Sequence, residues 1–260
     1  MAKLIEADTR LDAWMQAADY LLEYGPILNL TLAIESPMTG GSNRAIDKFL
    51  ADESQFPMHT VAETIFPGVE YRRRGLRGVL DFYPEKVYPA IKKHPSIRWG
   101  TYAYRLVRRR TANDKYINPL RQMIEKMQSE ITKTGPKRSC YELGVAEGEF
   151  DMPLHSPADD GARRMGGPCL SHLSFKLFDG AVHLAAFYRS HDYRYKVPGN
   201  LLGLARLQDC VAHEVGRGTG SLVVHSSYAY LNESKARMRK LLHDLRRTEE
   251  RKETNHAVAH

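Results

Sequence analysis

One stretch of this chain, residues 167–200, reads GPCLSHLSFKLFDGAVHLAAFYRSHDYRYKVPGN and sets a cysteine against an unusual density of anion-binding and hydrogen-bonding groups. Cys169 can act as a nucleophile only as its thiolate, and a nearby guanidinium favours that form while gripping an anion through two N–H groups. Arg189 is the arginine that local structure should deliver. Leu173, Phe175 and Leu177 alternate with Ser174 and Lys176, Asp179-Gly180 is a tight-turn pair, and 182–188 is a second apolar run. The pattern predicts a β-hairpin with Cys169 at the mouth of its first strand and Arg189 at the end of its second. The chemistry expected there is a thiol of lowered pKa acting on a phosphorylated substrate.

The elements that must hold this stretch are legible to different degrees. Residues 9–24 place Leu11, Trp14, Met15, Ala18, Leu21 and Leu22 on one stripe, with Thr9 or Asp8 as N-cap and Gly25-Pro26 as the stop, so an amphipathic helix is expected. Residues 27–35 alternate, with Leu28, Leu30, Leu32 and Ile34 on one face of a strand. The SPMTGGSN segment, 36–43, is a loop whose glycines and Arg44 could cradle an anion or form a plain turn, and it lacks the ending of a P-loop. Glu63 sits among apolar residues of a short helix. Residues 69–98 resist assignment. A helix over 113–134, a strand over 139–146, a loop over 147–168, a buried helix from Asn200 to a stop at Gly216, a strand over 221–231 and a charged closing helix complete the order, with 253–260 as a frayed tail. The sum is an α+β fold, read as one domain over 1–260, without the repeating βαβ order of a doubly wound sheet.

Composition narrows the partners. A net charge of +7 suits an anionic ligand. The longest basic run, 235–252, is interleaved with carboxylates and carries no aromatic residue, which favours a solvated helix face over nucleic-acid binding. With no run of 18 apolar residues, no membrane span or signal peptide is expected, and the protein is read as cytoplasmic. Cys140, Cys169 and Cys210 are too few for a disulfide framework. The histidines, His155, His172, His183, His191, His213 and His225 among them, offer no HxxxH or HExxH spacing on a helix, so no metal site is expected.

The order Pro168-Cys169, then Arg189-Ser190-x-Asp192, then Pro198-x-Asn200 opening a helix, then Tyr228-x-Tyr230 on a strand resembles the thymidylate synthase family, closest to its compact archaeal-type branch, over about 136–232. The resemblance implies a mixed sheet flanked by helices and a homodimer formed through the sheet. It implies that Cys169 adds to C6 of a pyrimidine nucleoside monophosphate and that C5 then captures a one-carbon unit from 5,10-methylenetetrahydrofolate. By the same likeness Arg189 and Ser190 hold the phosphate, and Lys137 and Arg138 reach the neighbouring subunit's phosphate. Asn200 reads the pyrimidine edge, Asp192 holds the pterin ring, Tyr230 and Tyr228 face the sugar, Trp99 lines the site, and Glu63 manages protons through water. An amide at Asn200 leans toward uracil, but amide reversal leaves cytosine open.

Two departures bear on the product. Tyr228 stands where the family has a sugar-binding histidine, and no tryptophan lies between Glu63 and Trp99, where the family shields the exocyclic methylene intermediate. Without that shield, water can add to the methylene. The leading expectation is therefore hydroxymethylation, of CMP, dCMP or dUMP. The alternatives are methylation of dUMP to dTMP and, from another class, a non-catalytic nucleotide-binding homologue.

Overall fold

The computed structural model describes residues 2–40, 43–97, 100–111, 113, 115–133, 135–137, 139–146, 168–232 and 235–258. Its centre is a seven-stranded mixed sheet. The strands are β1 (Lys3–Ala7), β2 (Ile27–Ile34), β5 (Glu142–Gly144), β6 (Leu170–Phe178), β7 (Ala181–Tyr188), β8 (His191–Asp192) and β9 (Gly218–Tyr230), and the path across the sheet is β1-β2-β9-β7-β6-β5 with β8 also on β9. Two short strands, β3 (Arg109–Arg110) and β4 (Tyr116–Ile117), pair apart from it. The α+β expectation with a mixed sheet holds. Two crossovers are parallel: β1 and β2 are joined by α1 (Arg10–Tyr24), and β7 and β9 by α8 (Val197–Glu214).

The first helix forms as its sequence dictates. The Thr9 side chain accepts from the Asp12 N–H at 3.2 Å, and Gly25 ends the helix at φ 79°, a conformation a side chain would strain. Its buried stripe packs with that of α8 against Leu30, Leu32, Ile34, Leu222 and Val224, all fully buried. The opposite sheet face is less covered: Phe187 is 39% exposed and stacks on His225 at 5.0 Å, and Thr31 bonds the His225 ring at 3.0 Å.

Several expectations need correction. Leu28 does not join the buried face of β2 and is 61% exposed: Asn29 takes a left-handed φ of 58° next to it, and Ile27, still paired with Ala229, packs against the core in its place. The helix expected over 113–134 is α7 (Pro119–Lys133). Its start is displaced by the β3-β4 pairing, and Asn118 caps it through the Arg121 N–H at 3.0 Å. The strand expected over 139–146 is reduced to β5. At the C-terminus, α9 (Lys235–Val258) keeps a helical backbone beyond 253. The loop expected over 147–168 lies, Pro168 apart, outside the described residues. The unassigned stretch 69–98 is helical for most of its length, as α4 (Gly68–Arg77), a π-helical segment Gly78–Val87 and α5 (Tyr88–Ile91). The left-handed Gly75 and the internal Pro84 break the 3.6-residue period that would have announced it.

One close approach positions the site. The short helix α3 (Met58–Glu63) lies against the first turns of α8, so that a Cβ at Gly199 would come within 2.5 Å of Val61 Cβ, and one at Gly203 within 2.8 Å of the Ala62 carbonyl. Glycine at both positions lets the two backbones meet, with Asn200 between them in sequence.

Candidate active site

The hairpin delivers Cys169 and Arg189 to each other. Phe178 pairs with Ala181 across a turn in which Asp179 and Gly180 both have positive φ, 48° and 75°, the geometry of a tight primed turn. At the open end Leu170 pairs with Tyr188, and the Arg189 N–H donates to the Cys169 carbonyl at 2.9 Å. The Arg189 guanidinium donates from Nη2 to the Pro168 carbonyl at 2.8 Å, while its buried Nε has no partner among the described residues.

The expected lowering of the thiol pKa is overturned. Burial is the larger influence and pushes the Cys169 thiol up, and Arg189 opposes it without prevailing. In the free protein the thiol is therefore the favoured form.

A residue the sequence reading missed sits at Cys169. Tyr102, in α6 (Tyr102–Val107), accepts through its hydroxyl oxygen from the N–H groups of Cys169 at 3.2 Å and Leu170 at 3.4 Å. Burial raises its pKa to about 12, so it stays protonated and keeps an O–H to offer. Glu63 reaches the same neighbourhood through the backbone, since Ala103 N–H, next to Tyr102, donates to the carbonyl of Thr64 at 2.9 Å. The Glu63 carboxylate accepts from Val69 N–H at 3.2 and 3.3 Å and lies 3.7 Å from Arg206. Burial raises its pKa, against the pull of that N–H and of Arg206, Arg72 and His59. Glu63 is thus a partly desolvated carboxylate.

Ser190, Asp192, Tyr228 and Tyr230 gather at the adjoining end of β9. The Tyr230 pKa is raised by burial and by the nearby Asp192 and Cys169, and its hydroxyl interacts with Ser190 and Asn232. Tyr228 stacks with Tyr230 at 5.5 Å and is 41% exposed, with the exposed Leu28 directly across from it on β2. The Asp192 carboxylate is largely committed within the fold: Oδ1 accepts from Arg194 and Tyr195 N–H at 3.0 and 3.4 Å, and Oδ2 from Asn232 at 3.0 Å. An ionised carboxylate has about four acceptor sites, so one remains on Oδ2 for an outside N–H.

Asn200 is 5% exposed and lies inside the first turn of α8, its N–H bonded to the Lys196 carbonyl at 2.9 Å, so it does not cap the helix. Its Nδ2 is 3.0 Å from His191 Nε2. His191, inside the Arg-Ser-x-Asp run, is the second residue that the sequence reading left out of the site.

Lys137, expected to serve the neighbouring subunit's phosphate, lies away from Cys169 of its own chain. Lys137 is exposed, and its backbone N–H bonds the Tyr141 hydroxyl at 3.0 Å. Tyr141 in turn meets Phe175, six residues along β6 from Cys169, which is roughly 20 Å of strand. Trp99 and Arg138 lie outside the described residues. Arg44 is the exposed first residue of α2 (Arg44–Asp52), and Gly41 and Ser42 of the expected cradle lie outside the described residues. The buried Arg10 holds residues 36–40, its guanidinium donating to the Pro37 and Gly40 carbonyls, and Asn43 caps α2. Among the described residues no three histidine, cysteine or acidic side chains group as a metal site would require, and no helix is long and apolar enough to cross a membrane.

Comparison with known proteins points one way over part of the chain. A protein of Methanosarcina barkeri named "Putative thymidylate synthase" is 39% identical over 64 residues, and one of the same name from Methanothermobacter thermautotrophicus is 41% identical over 66. Each match covers 25% of this chain and 30% of the relative. A Methanococcoides burtonii protein of the same name is 39% identical over 64 residues. No protein-family model matches the chain. The resemblance to the thymidylate synthase family read from Cys169, Arg189 and Asn200 is thus borne out over a segment.

Proposed function

We propose that this relative of the thymidylate synthases transfers a one-carbon unit to C5 of a pyrimidine nucleoside monophosphate, through addition of Cys169 to C6, and that its product carries a hydroxymethyl group. The observation that carries the reading is the meeting of Cys169 and Arg189 at the open end of the hairpin, with Tyr230 beside both Cys169 and Asp192. Addition to C6 needs a thiolate, which burial disfavours in the free protein. A phosphate could meet Arg189, whose Nε has no partner among the described residues, and the thiol proton must leave to a base, for which the half-buried Glu63 is the candidate through intervening water.

5,10-Methylenetetrahydrofolate as co-substrate would supply the carbon, and the free acceptor site of Asp192 suits an N–H of its pterin. The residues present fit such a ring at one point and leave the rest of its contacts to other side chains. Arg189 and Ser190 would hold the phosphate, Tyr228 and Tyr230 the sugar, and Asn200 the base edge. The uncovered sheet face around Phe187 and His225 supports a homodimer through the sheet, with Lys137 and Arg138 serving the partner's site.

Water capture of the methylene follows from the lack of tryptophan between Glu63 and Trp99. Methylation of dUMP is the second reading, favoured by an amide rather than a carboxylate at position 200. A non-catalytic nucleotide-binding role is the third. One experiment separates them: UMP, dUMP, CMP and dCMP, each tritiated at C5, are incubated with methylenetetrahydrofolate, followed by product mass and dihydrofolate. Tritium release, a hydroxymethyl mass and no dihydrofolate are expected, with release abolished in Cys169→Ala. Stoichiometric dihydrofolate sinks the hydroxymethyl reading, and absence of release from all four nucleotides sinks catalysis.

A further inference from the structure

Behind Asn200 runs a buried chain of hydrogen bonds with no access to water. Asn200 Nδ2 lies 3.0 Å from His191 Nε2, His191 Nδ1 lies 3.0 Å from Ser226 Oγ, and Ser226 Oγ lies 3.1 Å from the Tyr193 hydroxyl. His191 is 1% exposed, Ser226 and Tyr193 are fully buried, and Asn200 is 5% exposed. The imidazole is clamped in plane by Tyr188, stacked at 3.8 Å and 7°, and edge-on by Tyr193 at 5.4 Å. Asn200 Oδ1 has no hydrogen-bond partner among the described residues.

The donor and acceptor rules allow this chain two arrangements. A neutral imidazole carries a single N–H. With the amide nitrogen toward His191, Nε2 must be bare, Nδ1 holds the proton, and Ser226 accepts it. With the amide reversed, Oδ1 accepts from Nε2–H, Ser226 donates to a bare Nδ1, and Tyr193 can donate to Ser226. Any mixture sets two donors or two lone pairs face to face in a dry interior, a costly arrangement. The order of donor and acceptor that Asn200 presents outward is therefore locked to the tautomer of His191. Uracil shows a ring N–H beside a carbonyl, and cytosine a bare ring nitrogen beside an amino group, so the two bases call for opposite orders.

We propose that His191, oriented by Ser226 and Tyr193, is a positioning residue that sets which end of the Asn200 amide meets the base, and so determines whether the site accepts uracil or cytosine. This rests on Asn200 being the base reader, as in the functional reading above.

The test compares affinities for dUMP and dCMP in wild type, Ser226→Ala and His191→Phe. Ser226→Ala deletes the partner that holds Nδ1 in either arrangement, so the tautomer is no longer tied to the buried chain. His191→Phe keeps the ring against Tyr188 and deletes both nitrogens. Wild type is expected to prefer one nucleotide, and each variant to bring the ratio of the two affinities toward unity by about five- to tenfold, the worth of one buried hydrogen bond. General damage to the fold would weaken both nucleotides together and leave the ratio unmoved. A discriminating wild type whose ratio survives both substitutions overturns the proposal, as does a wild type that binds both equally. A wild type that binds neither nucleotide overturns the functional reading itself, and this inference with it.

Discussion

The two ends of the β6-β7 hairpin share one alternating strand pattern and obey different physics. At the turn end Phe178 is 73% exposed, and the geometry is set by two residues of positive φ. At the open end Tyr188 is fully buried, Cys169 is half-buried with its thiol pushed up, and Arg189 keeps a buried Nε without a partner among the described residues. One end is finished by its own backbone. The other holds desolvated polar groups, and a ligand that supplied partners to them would gain binding energy there. Three perturbations probe that contrast.

The largest effect belongs to His191, just beyond the open end. Burial drives its pKa down to about 3 from an ordinary 6.5. Its ring neighbours Tyr188 and Tyr193 have pKa values raised by burial and stay neutral throughout the acid range. The unfolded chain takes up a proton at His191 below about pH 6.5 and the folded chain only near pH 3, so acid favours unfolding between those limits. From pH 7 to pH 4 the wild type should lose roughly 3 kcal/mol through this one group, at about 1.4 kcal/mol per pH unit below 6.5. His191→Phe has no such proton. Urea unfolding of both proteins should therefore show the stability gap between them closing as pH falls, and a constant gap would refute the buried neutral imidazole.

Arg189 comes next. If its guanidinium holds the phosphate, Arg189→Ala should weaken dUMP binding by about ten- to a hundredfold, the range for hydrogen bonds to a charged group. Arg189→Lys should recover only part of this, because a point charge replaces a planar fork. Deoxyuridine, which lacks the phosphate, is the control. Calorimetry showing the same loss for nucleoside and nucleotide would remove Arg189 from the phosphate. The substitution also takes away a charge that lowers the thiol pKa, so the alkaline rise of Cys169 alkylation should move to higher pH.

How far the sequence disclosed these regions follows from the range of the interactions involved. The hairpin, the capped α1 and the meeting of Cys169 with Arg189 are local and were readable, because strand period and turn chemistry act over a few residues. Tyr102 was not, since its hydroxyl meets Cys169 N–H across 67 residues of chain. His191 stood inside a recognised motif, yet its role depends on Ser226, 35 residues on, and on burial that no local pattern reports. The sign of the Cys169 shift was misread for the same reason: the neighbouring charge is visible in sequence, while the larger desolvation is a property of the packed whole. Leu28 shows the converse failure, a correct period defeated by one left-handed asparagine.

The smallest effect should come from the turn end, and its smallness is the point. Gly180 has φ 75°, and a Cβ built there meets nothing within 4 Å, so Gly180→Ala adds backbone strain and no clash. Placing an L-residue in that conformation costs about 1 kcal/mol. Thermal unfolding should therefore shift slightly while nucleotide affinity stays at the wild-type value, because the hairpin pairs from Phe178 to Leu170 lie between the turn and Cys169. If instead affinity falls with stability, strain is travelling the length of β6 and β7, and the two ends are one mechanical unit. The division would then be wrong, and the site's geometry would depend on a turn that touches none of it.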